Sequence, residues 1–250
     1  MSVLALHGVS KSFGGIHAVD GLSLAIQPGM ITGLIGPNGA GKTTVVNLLT
    51  GMLRPTSGRI TLGEQDITTL APEGIARLGV SRTFQNIRLL THATVLENVV
   101  IGYHRQEVTS LLANLLGLPG AVRERNLLRN KAAALLKTLN IEHLADRPAG
   151  ELAYGHQRRV EIARALALSP LVLLLDEPVA GMNDVEATEL GELFESLAAS
   201  GLAILLIEHN VRFVMRICKE IYAVDQGRLI CSGTPERVRN DPRVVSAYLG

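Results

Sequence analysis

Four largely apolar runs of strand length divide the chain: Met30 to Ile35, Leu171 to Leu175, Ala203 to Ile207 and Ile221 to Val224. Leu171 to Leu175 has no polar position on either parity, the pattern of a strand buried on both faces of a parallel sheet. Leu4 to Val9 and Leu22 to Ile26 instead alternate, as half-buried strands do. Arg59 to Gly63, Val80 to Phe84 and Leu229 to Cys231 read as shorter strands. Helical spacing predicts helices from Thr44 to Leu49, stopping near Gly51, and from Val185 to Ala199. Between Thr94 and Leu168 strand-like runs disappear, and helices are predicted over Val95 to Tyr103, Ala121 to Leu139 and Val160 to Leu168.

The expected fold class is therefore α/β, one domain over residues 1–250. Residues 1–93 and 169–250 form the α/β core, and a helical subdomain at 94–168 is inserted into it. Within the insertion, Leu111 to Pro119 is apolar but short; its face could pack on neighbouring helices or meet a membrane-embedded partner.

Composition narrows the function classes. The chain has 250 residues, is 47% hydrophobic and carries a net charge of +1, so no overall electrostatic footprint points to nucleic acid. No apolar stretch approaches the ~20 residues that cross a bilayer, and Met1 to His7 lacks the pattern of a secretory signal. A soluble, cytosolic chain is expected. Cys218 and Cys231 have no CxxC spacing, so ordinary reduced thiols are expected.

The chemistry concentrates in two places. Gly36-Pro37-Asn38-Gly39-Ala40-Gly41-Lys42-Thr43 matches the phosphate-loop pattern without a mismatch, lies after a predicted strand and leads through Thr44 into a predicted helix. Glycines let successive backbone N–H groups converge on one point, and the positive end of the helix faces the same way. Lys42 supplies a charge for the β- and γ-phosphates of a nucleoside triphosphate, and Thr43 a hydroxyl for Mg²⁺. The second place is the end of the strand from Leu171, where Asp176 and Glu177 open onto the ligand crevice of a parallel sheet. Asp176 is placed to hold Mg²⁺ through its water shell, and Glu177 to act as general base on a water in line with the γ-phosphate. Phe13, beside Gly14-Gly15, could be a core edge or could stack on a purine ring.

Leu152-Ala153-Tyr154-Gly155-His156 reads as a glycine turn opening a basic amphipathic helix. Taken in order, Phe13, the phosphate loop, Gln85, this segment, Asp176-Glu177 and Ile207-Glu208-His209 resemble the ATP-binding subunits of ABC transporters over essentially the whole length. The resemblance implies a P-loop NTPase with a RecA-like parallel-sheet core, an N-terminal antiparallel β part and an inserted helical subdomain. It implies that Phe13 stacks on adenine, that Gln85 touches Mg²⁺ and faces the membrane subunit, and that His209 contacts the γ-phosphate. Leu152 to His156 would be the signature loop, covering ATP held by a second cassette.

Ser81 to Asn86, Leu152 to Gly155, Asp176 to Asn183, Ile207 to Asn210 and Gly233 to Glu236 are most similar to the ATPases of branched-chain amino-acid importers. That subgroup implies ATP and Mg²⁺ as cofactors, a second and different cassette subunit, two permease subunits, an external solute-binding protein, and a peripheral place on the cytoplasmic face of the membrane. Uptake of urea or another small solute, lipid export, and a soluble non-transport ATPase are the alternatives. The general signature has Ser-Gly-Gly-Gln where this chain has Ala153, Tyr154, Gly155 and His156, so a side-chain hydroxyl is missing at Ala153. His156 could replace the glutamine as donor or could face solvent. Asn183 stands where aspartate is usual.

Overall fold

The computed structural model describes residues 3–83, 87–104, 109 and 118–249. The chain opens with strands β1 (Leu4–Phe13), β2 (Ile16–Ile26) and β3 (Ile31–Ile35), and β3 leads into helix α1 (Lys42–Leu49). Strands β4 (Ser57–Leu62) and β5 (Gln65–Asp66), helix α2 (Pro72–Arg77) and strand β6 (Val80–Arg82) follow. Helices α3 (Val95–Gly102), α4 (Pro119–Thr138) and α5 (Tyr154–Ala167) come next. The last part runs β7 (Val172–Asp176), α6 (Asp184–Ala199), β8 (Ala203–Ile207), α7 (Val211–Ile217), β9 (Glu220–Asp225), β10 (Arg228–Gly233), α8 (Pro235–Arg239) and α9 (Pro242–Leu249). Two compact units result, one of Met1–Arg82 with Leu171–Gly250, the other of Thr83–Pro170.

The first unit holds two sheets. One is antiparallel, ordered β2-β1-β4-β5; the other is ordered β10-β9-β3-β8-β7-β6 and is parallel except for the β10–β9 pair. Strands β3, β7 and β8 are buried at every position, which is why their sequences are nearly continuous in apolar residues. Leu4, Leu6 and Leu24 from the antiparallel sheet share one core with Leu34, Leu174 and Leu205 from the parallel one, and Val45, Val46, Leu48 and Leu49 of α1 belong to it. On β3, a Cβ at Gly33 would press on Val214 and Cys218, so glycine lets α7 approach the sheet closely.

Both N-terminal strands run longer than their hydrophobic pattern predicts. Register shifts between Leu6 and Val9 and between Val9 and Lys11 break the alternation without ending β1. Helix α5 begins at Tyr154, well before the Val160 expected from the sequence, so Gly155 lies in its first turn and makes no glycine turn. The basic helix read after Gly155 is present, and Arg158, a polar position in its sequence, is buried.

In the second unit Thr94 and Glu97 form a capping box at the start of α3. The buried Asn98 side chain bonds both the N–H and the carbonyl of Leu90, which pins the approach to that helix. Gly102 permits tight packing of α3 on α5, since a Cβ there would meet the Arg164 carbonyl and Ala167. The Leu111–Pro119 stretch lies outside the described residues as far as Gly117. Among the described residues no helix is long and apolar enough to cross a membrane.

The loop between β3 and α1 is held by close backbone contact. Gly41 has φ 97° and a Cβ there would run into the Ala18 carbonyl of β2, whereas Gly39, at φ 82°, faces open space. Gly39→Ala should therefore cost only backbone strain, about 1–2 kcal/mol. Gly41→Ala should cost clearly more, because strain and overlap with fixed backbone add. Thermal unfolding of the two variants side by side checks this ordering.

Candidate nucleotide site

Three neighbouring strands of the parallel sheet, β3, β8 and β7, end in one row. Ile207 of β8 is level with Leu34 of β3 on one side and with Asp176 of β7 on the other. The residues that follow, Ile35-Gly36, Glu177 and Glu208-His209, therefore leave the sheet side by side at its carboxyl edge. This is where open α/β sheets bind ligands.

The phosphate loop is braced on both flanks. The Gly227 amide, in the β9–β10 turn, donates to the Ala40 carbonyl at 3.1 Å, and the Val45 amide of α1 donates to Gly41 at 3.0 Å. A Cβ at Gly36 would collide with the Val224 carbonyl, so the loop's first residue presses directly on β9. No side chain caps α1 and no acidic residue lies in its first turn, so its N-terminal amides face the loop with the helix's positive end. Gly36, Pro37, Asn38, Gly39, Ala40, Gly41, Lys42, Thr43 and Thr44 thus form a continuous strand–loop–helix passage.

Lys42 bends back over the loop, its ammonium donating to the carbonyls of Gly36 at 2.7 Å and Pro37 at 3.0 Å. Burial pulls this ammonium below the usual lysine range, and the Glu177 and Asp176 carboxylates act in the opposite direction. The loop lysine and the two carboxylates at the end of β7 therefore share one electrostatic neighbourhood.

Asp176 is almost fully buried and pairs with Arg82 at 2.9 Å. Glu177 takes a left-handed backbone, φ 49°, while its amide donates to the Ile207 carbonyl at 2.9 Å. Such a conformation in a non-glycine residue is strained and tends to be kept at functional sites. Its carboxylate lies 3.8 Å from Nδ1 of His209, whose side chain is 59% exposed.

Glu208, fully buried, ties these pieces together; the sequence motif names it beside His209 but gives it no role. Its carboxylate accepts from the amides of Val179 at 3.0 Å and His209 at 3.2 Å, linking the loop after β7 to the one after β8. Burial raises its carboxyl above the usual range, and the backbone donors oppose that shift. The signal was available: an acid directly after the wholly apolar run Ala203 to Ile207 repeats the pattern that exposed Asp176.

Phe13 ends β1, is 46% exposed and carries the Lys11 ammonium 5.1 Å from its ring centroid. Gln85 lies outside the described residues. In the second unit, Leu152 is buried and accepts a bond from Gln157, Ala153 is the N-cap residue of α5, and Tyr154, Gly155 and His156 form its first turn. The Tyr154 hydroxyl accepts from Arg158 at 3.4 Å, and Arg158 pairs with Glu161 at 2.7 Å inside the unit. His156 is half-buried and meets the His143 ring edge-on rather than facing open solvent. Asn183 caps α6, accepting from the amides of Val185 and Glu186 at 3.0 Å. Asparagine caps a helix as well as aspartate, so this departure leaves the local structure intact.

The family model for ABC transporters matches residues 19–180, a span running from β2 through the phosphate loop, α5 and the Asp176–Glu177 pair. The chain belongs to the ABC transporter family. A model for branched-chain amino acid ATP-binding cassette transporters matches residues 228–250 of this cassette. The high-affinity branched-chain amino acid transport ATP-binding protein LivG of Salmonella typhimurium is 47% identical over 249 residues, covering 99% of this chain and 98% of that protein. The corresponding protein BraF of Pseudomonas aeruginosa is 43% identical with the same coverage. A solved ATP-binding cassette of an ABC transporter in its ADP conformation superposes with a TM-score of 0.87 at 36% identity, covering 100% of this chain and 99% of that one.

Glu208→Ala should destabilise the cassette by about 2–3 kcal/mol, because the amides of Val179, His209 and Asn210 lose a buried acceptor. Glu208→Gln should recover part of the loss, since its carbonyl still accepts. Thermal unfolding of both variants against the parent measures this.

Proposed function

We propose that this cassette binds and hydrolyses ATP to drive uptake of branched-chain amino acids through a membrane transporter. The observation that carries the reading is the meeting of loop and carboxylates: Lys42, held on the phosphate loop, lies in the field of both Glu177 and Asp176. A triphosphate seated on the loop amides and Lys42 would present its terminal phosphate toward those acids. The names of LivG and BraF, both nearly full-length relatives, support the cargo.

In this reading Gly36 to Thr44 cradle the phosphates, and Phe13 stacks on the adenine. Thr43 and Asp176, with Gln85 from outside the described residues, supply oxygen donors for Mg²⁺. Hard oxygen ligands suit that ion, and magnesium sites of this kind take one or two carboxylates and leave the rest to phosphate and water. That fits the absence, among the described residues, of any cluster of three or more acidic, histidine or cysteine side chains able to cage a metal. Bound Mg²⁺ would neutralise charge building on the phosphates.

Glu177 accepts a proton from the attacking water, and His209 steadies the γ-phosphate. Glu208 holds both in register through the loop amides. Leu152, Ala153, Tyr154, Gly155 and His156 cover ATP on a partner cassette with backbone donors and a helix N-terminus, Ala153 having no hydroxyl to offer. A second, different cassette, two permease subunits and an external solute-binding protein complete the assembly, with this chain peripheral on the cytoplasmic face.

Glu177→Gln should keep Mg-ATP affinity yet lower turnover by about 10²- to 10⁴-fold, the range for losing a general base. Lys42→Ala should instead lose most of the affinity. Titration with a fluorescent ATP analogue, alongside phosphate release, separates the two. Unchanged affinity in a folded Lys42→Ala variant would refute the site. ATPase activity of the isolated chain should be low and should rise when the second cassette and the permeases are added. Full activity from a homodimer of this chain would count against a second, different cassette.

A further inference from the structure

Arg82 closes β6, the edge strand of the parallel sheet, and its register partner on β7 is Leu174. Side chains two apart on a strand share a face, so Asp176 lies diagonally across from Arg82 on the same side as Leu174. The guanidinium fork uses that placement twice. One nitrogen donates to Asp176 Oδ2 at 2.9 Å, and the other donates to Asn47 Oδ1 at 2.7 Å. Asn47 lies four residues after Thr43 on α1, on the same helix face. Arg82 thus spans from the carboxylate on β7 to the helix that carries the Thr43 hydroxyl, two of the oxygen donors assigned above to Mg²⁺.

The pair is also shielded, with side-chain exposures of 14% for Arg82 and 8% for Asp176. A carboxylate this deep is costly unless a cation balances it, and removing one partner of such a pair leaves the other charge uncompensated. A divalent ion on Asp176 would place a second cation beside the guanidinium.

We propose that Arg82 is the resident counter-cation of Asp176, a positioning residue that turns this carboxylate toward α1 and with which a divalent ion must compete for it. The proposal rests on the reading of Thr43 and Asp176 as the Mg²⁺ donors. Arg82 holds the site's geometry when no metal is bound and keeps Mg²⁺ alone from settling on Asp176. The ion then enters effectively only with a nucleotide, whose phosphates supply the remaining ligands. The planar fork matters as much as the charge, because one group reaches both Asp176 and Asn47.

The decisive measurement is thermal unfolding of the nucleotide-free chain across a millimolar Mg²⁺ titration at constant ionic strength. The parent should barely respond. Arg82→Met should melt lower, and Mg²⁺ should close much of the gap; a purely structural loss would lower the melting temperature equally at every Mg²⁺ concentration. Arg82→Lys should fall between, and adding Asp176→Asn to Arg82→Met should abolish the response. If Arg82→Met does not fold, Asn47→Ala tests the same tie with the guanidinium in place, and should respond to Mg²⁺ more than the parent. With a fluorescent ADP analogue, the ratio of affinities with Mg²⁺ and with chelator should rise about tenfold in Arg82→Met, the scale of one bond to a charged group. Equal Mg²⁺ responses in parent and variants, or a response that survives Asp176→Asn, would overturn the role of Arg82. A parent chain that fails to bind the ADP analogue would overturn the nucleotide reading instead, and the nucleotide-free titration would still decide on Arg82.

Discussion

The register of three parallel strands is the constraint from which the site follows. Leu34, Ile207 and Asp176 stand level across β3, β8 and β7, so the backbone leaves the sheet at three adjacent points in one row. A slip of one residue between β7 and β8 would turn Asp176 to the opposite face, and one between β3 and β8 would move Glu177 and His209 out of line with the phosphate loop. Because β3, β7 and β8 are buried at every position, a slip would either draw the acids that follow β7 and β8 into the core or pull packed side chains out of it. The hydrophobic core thereby sets the position of charged groups that contribute nothing to it.

Those charges are balanced locally and in pairs. Arg82 faces Asp176, Glu208 is met by backbone amides, and the depressed ammonium of Lys42 lies in the field of Glu177 and Asp176. In the second unit Arg158 and Glu161 repeat the device within a single helix. Buried ion pairs seldom add much net stability, since desolvation offsets attraction. Their value here is geometric: each fixes the direction of a side chain or loop that a purely apolar packing would leave free.

The parts visible in the sequence are the local ones. Largely apolar runs revealed β3, β7 and β8, and fixed glycine spacing revealed the loop before α1, because neither depends on what the rest of the chain does. Asp176 and Glu177 stood out for the same reason, as acids ending a fully apolar strand. Arg82 did not. Its two partners are 35 and 94 positions away, and only the pairing of β6 with β7 brings them together. The start of α5 reads late in the sequence because Gly155 counts there as a turn although it lies in the helix's first turn. Bulges concealed the length of β1, because an inserted residue breaks the alternation while the pairing continues. Asn183 looked like a departure in chemistry and turned out to be an equivalent helix cap.

Lys42 gives the loop a property that its motif does not convey. The ammonium already donates to two carbonyls of the loop that it belongs to, at 2.7 and 3.0 Å. A phosphate arriving there exchanges one set of partners for another, and does not rescue a bare charge. The net gain is then the difference between two well-made arrangements, smaller than the attraction of the isolated ions. In return the loop keeps its curvature before any ligand comes, and little ordering entropy is left to lose on binding. A cassette built this way trades depth of binding for readiness, which suits a protein that has to release its product on every cycle.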